Sequence, residues 1–284
     1  MADSAYINSI WELDLKSENG LKDLEYFLEQ GGDCNELRPL DDYWSESFLQ
    51  RAVTCRNVEA VALLLEFGAD ETCVSSAALC ISCPLSLAAE SGELEICEML
   101  VEHGANVNQS DSGIFLPGTF NIPYPDNFPL YAAARGGYAD VIDFLMNSGA
   151  DPNVICGYTR VPITPPDTPI AMAATRNHYE AVSALITGGA DVNFMHPSGF
   201  SALHQAIVNS HLEIFHCLVE AGADVHQRSS IYGTTPLWIA QYIGRRRPSE
   251  ANREIQTYIR KQKGVSRLYW WAELLSWAKL FSLA

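Results

Sequence analysis

At 284 residues, 48% apolar and 10% aromatic, the chain is long enough to bury a large core, which excludes the disordered class. No stretch approaches the roughly 18 consecutive apolar residues of a membrane-spanning helix, and MADSAYINSIWELD lacks the basic segment, apolar core and cleavage site of a secretory signal. The formal charge of −17 is uneven: residues 1–73 carry 5 Lys+Arg against 16 Asp+Glu, residues 74–244 carry 4 against 16, and residues 245–284 carry 9 against 3. Such an acidic body repels nucleic acid, so direct DNA or RNA binding is not expected. We expect an intracellular protein, cytoplasmic or nuclear and not secreted, whose eight cysteines are reduced thiols. The sequon at Asn108 (NQS) then has no consequence.

In chain order, SIWELDLKSENGLKDLEYFLEQGGDCN reads as a helix pair with Leu21, Leu24, Phe27 and Leu28 on one apolar face. Its last five residues, Gly31 to Asn35, open a series: GADETC from Gly68, GANVN from Gly104, GADPN from Gly149, GADVN from Gly189 and GADVH from Gly222. The first glycines are spaced by 37, 36, 45, 40 and 33 residues. A second marker keeps phase with the first: SFLQRAV at Ser47 (a worn version), CPLSLAA at Cys83, FPLYAAA at Phe128, TPIAMAA at Thr168, SALHQAI at Ser201 and TPLWIAQ at Thr235.

Each second marker suits a helix start. Thr168 or Thr235 can cap the N-terminus while proline takes the first helical position, and the small residues behind it admit a close neighbour. Apolar runs such as Val141, Phe144 and Leu145, or Ile214, Leu218 and Val219, mark the core face of a second helix. A left-handed glycine then ends that helix, and Asp or Asn begins a turn. After TPLWIAQYIG a last helix is expected from near Ser249, with Ile255, Tyr258 and Ile259 as its stripe and Gly264 as its stop.

Six in-phase copies of two motifs resemble the ankyrin-repeat family, whose unit is about 33 residues with a Thr-Pro-Leu-His-x-Ala box. The resemblance implies an all-α repeat solenoid of stacked helix-turn-helix units over residues 1–264, at about 6–43, 44–80, 81–125, 126–166, 167–198, 199–232 and 233–264, the terminal two being polar caps. It also implies a monomeric, non-enzymatic scaffold or adaptor, without cofactor or metal, that binds another protein on a concave face of loop tips and first-helix ends. The matching loop-tip positions include Met195, Phe200, Ile231 and Tyr232, and the helix positions include Arg135, Arg176, Asn209 and Tyr242.

Two intervals exceed the 33-residue unit, and the excess lies in loops 109–128 and 154–167, where insertions in repeat proteins often mark the binding face. These loops carry Phe115, Phe120, Tyr124 and Tyr158, with Arg160 beside them. Aromatics and arginine are the types enriched at interface hot spots, although the same rings can cover their own loops. Residues 265–284 form a separate amphipathic segment, with Trp270, Leu274, Trp277 and Phe281 on one helical stripe and Trp271 beside it. Three readings stay open for it: a seal on the last repeat, a partner-binding helix, or a weak membrane-surface contact.

Four histidines crowd residues 204–226, but His204 falls on the Thr-Pro-Leu-His histidine, His211 opens a second helix, His226 takes a loop position, and His216 is placed facing outward. A metal needs convergent side chains, so structural roles are favoured. CISC, Cys80 to Cys83, has no second pair, and Cys83 stands where other units place a helix cap. No phosphate loop, zinc-protease box or nucleophile elbow occurs. The favoured function is protein binding. Alternatives are a transcriptional coregulator holding a basic partner segment in an acidic groove, and a peripheral membrane adaptor; no box of a ligase subunit is recognisable.

Overall fold

The computed structural model describes residues 13–39, 44–72, 79–80, 83–109, 128–156, 168–195, 199–229 and 233–262. They form α1 (Glu18–Glu29), β1 (Leu37–Pro39), β2 (Trp44–Ser47), α2 (Phe48–Thr54), α3 (Val58–Glu66), β3 (Leu79–Cys80), α4 (Pro84–Ser91), α5 (Leu94–Glu102), α6 (Pro129–Gly136), α7 (Ala139–Asn147), α8 (Pro169–Arg176), α9 (Tyr179–Thr187), α10 (Ala202–Asn209), α11 (Leu212–Glu220), α12 (Pro236–Arg246) and α13 (Glu250–Gln262). The even-numbered helices α2 to α12 stack into an inner layer, and α1, α3, α5, α7, α9, α11 and α13 stack into an outer one. This is an all-α repeat solenoid.

The inner helices start and stop on local chemistry. Thr168 and Thr235 accept from the backbone N–H of Ala171 (3.4 Å) and Trp238 (3.2 Å), with Pro169 and Pro236 at the first helical position. The worn start at Ser47 is in fact fully capped. The Gln50 N–H donates to Ser47 Oγ at 3.1 Å, and the Ser47 N–H donates to Gln50 Oε1 at 2.8 Å. Glutamine thus replaces the histidine of the box, and the second unit has no weak start. Small buried side chains, Ala88, Ala89, Ala132, Ala133, Ala173, Ala174 and Ala206, let adjacent inner helices approach closely.

Outer helices bury a different stripe from the one read off the sequence. Val141, Ile142 and Leu145, and Ile214, Phe215 and Leu218, are fully buried, whereas Phe144 and Val219 are only packed against the core edge. The buried pattern is i, i+1, i+4, because each outer helix sits in the furrow between its own inner helix and a neighbour. In the first unit Leu24, Phe27 and Leu28 are buried and Leu21 partly so; the helix expected before them lies outside the described residues. At the other end, Ser249 Oγ accepts from the Asn252 N–H (3.1 Å), and Ile255 and Ile259 of α13 are buried.

A small sheet is present that the repeat pattern did not predict. β1 pairs antiparallel with β2 (Leu37 opposite Ser47), and β2 pairs parallel with β3 (Trp44 opposite Leu79). It joins loops of the first units.

Beyond stacking, the loops are tied by an asparagine ladder. Asn193 Nδ2 donates to the Gly222 carbonyl (3.0 Å) while its Oδ1 accepts the Asp224 N–H (2.7 Å). Asn108 does the same to Gly149 (2.9 Å) and Asp151 (2.8 Å), and Asn35 to Gly68 (3.3 Å) and Asp70 (2.6 Å). Gly189 and Gly222, at φ of 91° and 93°, make the left-handed turn that presents these backbone groups. At the step from the second unit to the third, Thr72 stands in the asparagine position and bonds its own Asp70.

Replacing Asn193 by alanine removes two inter-unit hydrogen bonds and should lower stability by about 1–2 kcal/mol in urea unfolding. Thr72→Asn should move the midpoint the other way by completing the missing rung. Equal midpoints for Asn193→Ala and wild type would show that the ladder contributes nothing.

Candidate protein-binding face

The inner layer presents its helix ends on one side of the stack. Arg135 of α6 reaches Glu90 of α4 at 2.7 Å, an ion pair between adjacent units. Next along the stack, Arg176 is exposed at the end of α8. On α10 the Asn209 Nδ2 donates to the Gln205 carbonyl at 3.0 Å, leaving an uncharged amide surface. On α12, Trp238 and Tyr242 stack with centroids 5.3 Å apart and planes 8° apart, and the Arg246 guanidinium lies 4.8 Å from the Tyr242 ring. Tyr242 remains 37% exposed.

Of the loop-tip positions, Met195 is half-buried, and Phe200 packs on the core with its ring 5.8 Å from that of His204. Phe115, Phe120, Tyr124, Tyr158, Arg160, Ile231 and Tyr232 lie outside the described residues, as do Trp270, Trp271, Leu274, Trp277 and Phe281. Arg176 and Tyr242 are exposed and Asn209 is half-buried, each on a helix of the inner layer. Sequence reasoning missed Trp238 and Arg246, although their spacing of four residues on either side of Tyr242 is the signal of one helical stripe.

The residue before each outer helix was also missed as a fastener of this face. His178 Nε2–H donates to the Arg135 carbonyl (3.2 Å) and His211 Nδ1–H to the Ala174 carbonyl (2.8 Å), each on the preceding inner helix. Tyr138 fills the same position with its ring. A Cβ on Gly92, already at φ 76°, would lie 2.4 Å from it.

The crowded histidines thus have separate partners. His204 is buried in a cap, its Nδ1 accepting from the Ser201 N–H at 3.2 Å. His226 is exposed, its backbone N–H on Asp224 Oδ1. His216 is only partly turned to solvent, its side chain 34% exposed. It is wedged between Phe215 and Tyr258, 5.4 Å from each ring, with Nε2 3.6 Å from Glu254 Oε1. Cys83 is buried at the start of α4, and Cys34, Cys55, Cys83, Cys97, Cys156 and Cys217 are free thiols. Burial, with Glu93 and Asp140 nearby, pushes the Cys97 thiol up to about 12.

Charge divides by layer. The five central members of the outer layer, VEAVALLLE, LEICEMLVE, ADVIDFLMN, YEAVSALIT and LEIFHCLVE, carry ten Asp or Glu and no Lys or Arg, whereas its terminal helices α1 and α13 carry Lys22 and Arg253, Arg260 and Lys261. The inner helices FLQRAVT, PLSLAAES, PLYAAARG, PIAMAATR, ALHQAIVN and PLWIAQYIGRR carry five Arg and a single carboxylate, Glu90.

Stacked helix pairs with bonded loops and a continuous inner face define a helical-repeat protein of the interaction type. The model of the family "Ankyrin repeats (3 copies)" matches residues 13–111, 130–229 and 170–246, and the chain belongs to that family. Its repeats generally mediate protein–protein interaction and are generally non-enzymatic. The chain is similar to "Ankyrin repeat and KH domain-containing protein mask-1" of Caenorhabditis elegans (31% identity over 49% of this chain and 5% of the relative). It is also similar to "Ankyrin repeat protein nuc-2" of Neurospora crassa (27%, 61% and 14%). A shorter match is to "Protein phosphatase 1 regulatory subunit 27" of Homo sapiens (52%, 16% and 29%). The chain spans well under half of each of these relatives.

Burial pushes the His204 imidazole down to about 4, opposed by a backbone hydrogen bond at Gln227. Its folded pKa is below the unfolded value, so its stabilising effect is complete above about pH 6.5 and is lost as pH falls towards about 4. The loss should reach roughly 3 kcal/mol at the lower end. Urea unfolding of wild type and His204→Gln between pH 7.5 and 4.5 checks this: the difference between the two should shrink as pH falls, and a constant difference would exclude the mechanism.

Proposed function

We propose that the protein is a monomeric scaffold or adaptor that holds another protein on the inner face and on the long loops 109–128 and 154–167. The observation that carries this reading is the stripe of Trp238, Tyr242 and Arg246, next to the exposed Arg176. Arg176, Tyr242 and Arg246 are exposed on inner-layer helices, where the repeat's packing does not dictate residue type, and Trp238, packed against the core at the box histidine position, backs the Tyr242 ring. Relatives point the same way, since one is named a regulatory subunit of an enzyme rather than an enzyme. Six free thiols support an intracellular setting, cytoplasmic or nuclear.

Of the two alternatives, a basic segment in an acidic groove needs carboxylates on the inner helices, and Glu90, bonded to Arg135, is the single one there. The membrane-adaptor reading rests on residues 265–284 alone. Among the described residues no helix is long and apolar enough to cross a membrane.

Capture of cross-linked partners from lysate tests the scaffold reading with four proteins: wild type, Phe120→Ala/Tyr124→Ala/Tyr158→Ala, Tyr242→Ala, and a chain lacking residues 265–284. A partner held by wild type should be weakened about tenfold or more by the loop triple variant and by Tyr242→Ala, as for hot-spot aromatics, with circular dichroism unchanged. It should survive the truncation. Retention that follows residues 265–284 would place function in the tail.

A further inference from the structure

We infer that the segment held on the inner face is acidic: an extended, carboxylate-bearing stretch of the partner, laid across α8, α10 and α12. This rests on the reading of the inner face as the binding face, and it reverses the expectation that net charge alone suggests. The charge of −17 belongs to the whole chain, but ten of the carboxylates stand on the outer helices α3 to α11. A bound segment responds to charges within a Debye length, about 8–10 Å at physiological salt. On α6, α8, α10 and α12 themselves it meets arginine and amide groups and no carboxylate, the next acids in sequence after each, Asp140, Glu180, Glu213 and Glu250, standing on the helices that follow.

The cations are available. Arg135 is neutralised by Glu90, but Arg176, Arg245 and Arg246 are exposed and in no ion pair among the described residues. Arg246 is also held by the Tyr242 ring, which orients the guanidinium and leaves its N–H edge for a carboxylate. Spacing then sets a pattern. Arg176 and Arg246 stand two inner helices apart, about 16–20 Å at ordinary helix-packing distances. An extended chain rises about 3.3 Å per residue, so two acidic residues about five or six apart can meet both arginines. Between them the segment passes Asn209 and Gln205, which offer amide hydrogen bonds and no charge.

Carboxylate peptide suits this face better than the other polyanions. A nucleic acid wide enough to overhang the inner layer meets the acidic outer rim, and a planar bilayer cannot follow stacked helix ends into a groove.

Selection of random dodecapeptides displayed on phage, with the full chain as bait, tests the inference. Enriched peptides should carry net negative charge, with acidic pairs five or six residues apart. Synthetic versions should lose about tenfold or more in affinity on Arg176→Glu/Arg246→Glu, and should keep theirs on the outer-layer variant Glu95→Lys/Glu98→Lys. Enriched peptides that are basic, or acidic ones indifferent to the arginine variant, would overturn the inference while leaving the inner face a binding module. Enrichment of no peptide at all would overturn both. A twelve-nucleotide single strand or phosphatidylserine vesicles bound more tightly through the same arginines would also overturn it, by assigning the face to phosphate.

Discussion

Everything in this molecule depends on each helix pair having a neighbour. A pair of helices of eight or nine residues, such as α8 and α9, is too short to be stable alone. Its inner helix buries alanines against the next inner helix, and its outer helix drops an i, i+1, i+4 stripe into the furrow between units. The polar contacts obey the same rule. Asn193 reaches forward to Gly222 and Asp224, while His211 reaches back to Ala174. Stability is therefore a sum over steps, and each step combines apolar stacking with a few hydrogen bonds across the junction. Asn108 shows how fully the side chains are committed: the amide that a sequon search singles out is the one bonded to the Gly149 carbonyl.

The steps are unequal. Between the second and third units Thr72 cannot bridge to the next loop, and other contacts span the junction: Gln109 Nε2 donates to the Thr72 carbonyl (3.0 Å) and Arg56 pairs with Glu93 (3.2 Å). Exposed ion pairs are worth at most about 1 kcal/mol, so the packing of α2 on α4 carries most of this junction. The sheet belongs to the preceding junction: β1 of the first unit pairs with β2 of the second, and β3, at the end of the second unit, runs parallel along β2.

Most of the fold was legible because repeated sequence averages out local ambiguity: six glycine turns and six helix starts in phase fix the unit even where one copy is worn. SFLQRAV looked degraded because the expected threonine, proline and histidine were absent, yet Ser47 and Gln50 perform the same reciprocal capping. What stayed hidden was relational. His216 read as a surface residue because its partners, Tyr258 and Glu254, belong to another helix. The roles of Tyr138 and His178 depend on the end of the preceding inner helix, and one unit's sequence says nothing about which part of its neighbour will face it. On the candidate face, Arg176, Asn209 and Tyr242 were identified by position in the repeat. Trp238 and Arg246 are legible only along α12, four residues on either side of Tyr242, and not from their places in the repeat.

The layering of charge needs two causes, and helix electrostatics supplies the first. Glu95, Asp140, Glu180 and Glu213 lie in the first turns of outer helices, where the positive end of the helix dipole favours them. Arg135, Arg176, Arg245 and Arg246 lie in the last turns of inner helices, where the negative end favours cations. Because every unit runs in the same direction, this local preference repeats along the stack, setting arginines at the ends of inner helices and acids at the starts of outer ones. The dipole does not explain the remainder: Glu98, Glu102, Asp143 and Glu220 lie beyond the first turn, and the inner helices omit acids at their own N-termini, where the same field would welcome them. Burial of those N-terminal caps accounts for the omission there, since Thr168, Ser201 and Thr235 are nearly inaccessible and a carboxylate would be desolvated. The outer helices have no such constraint and take the acids that solubility favours. Packing rules thus push the carboxylates outward, and the inner face keeps a sign opposite to that of the chain as a whole.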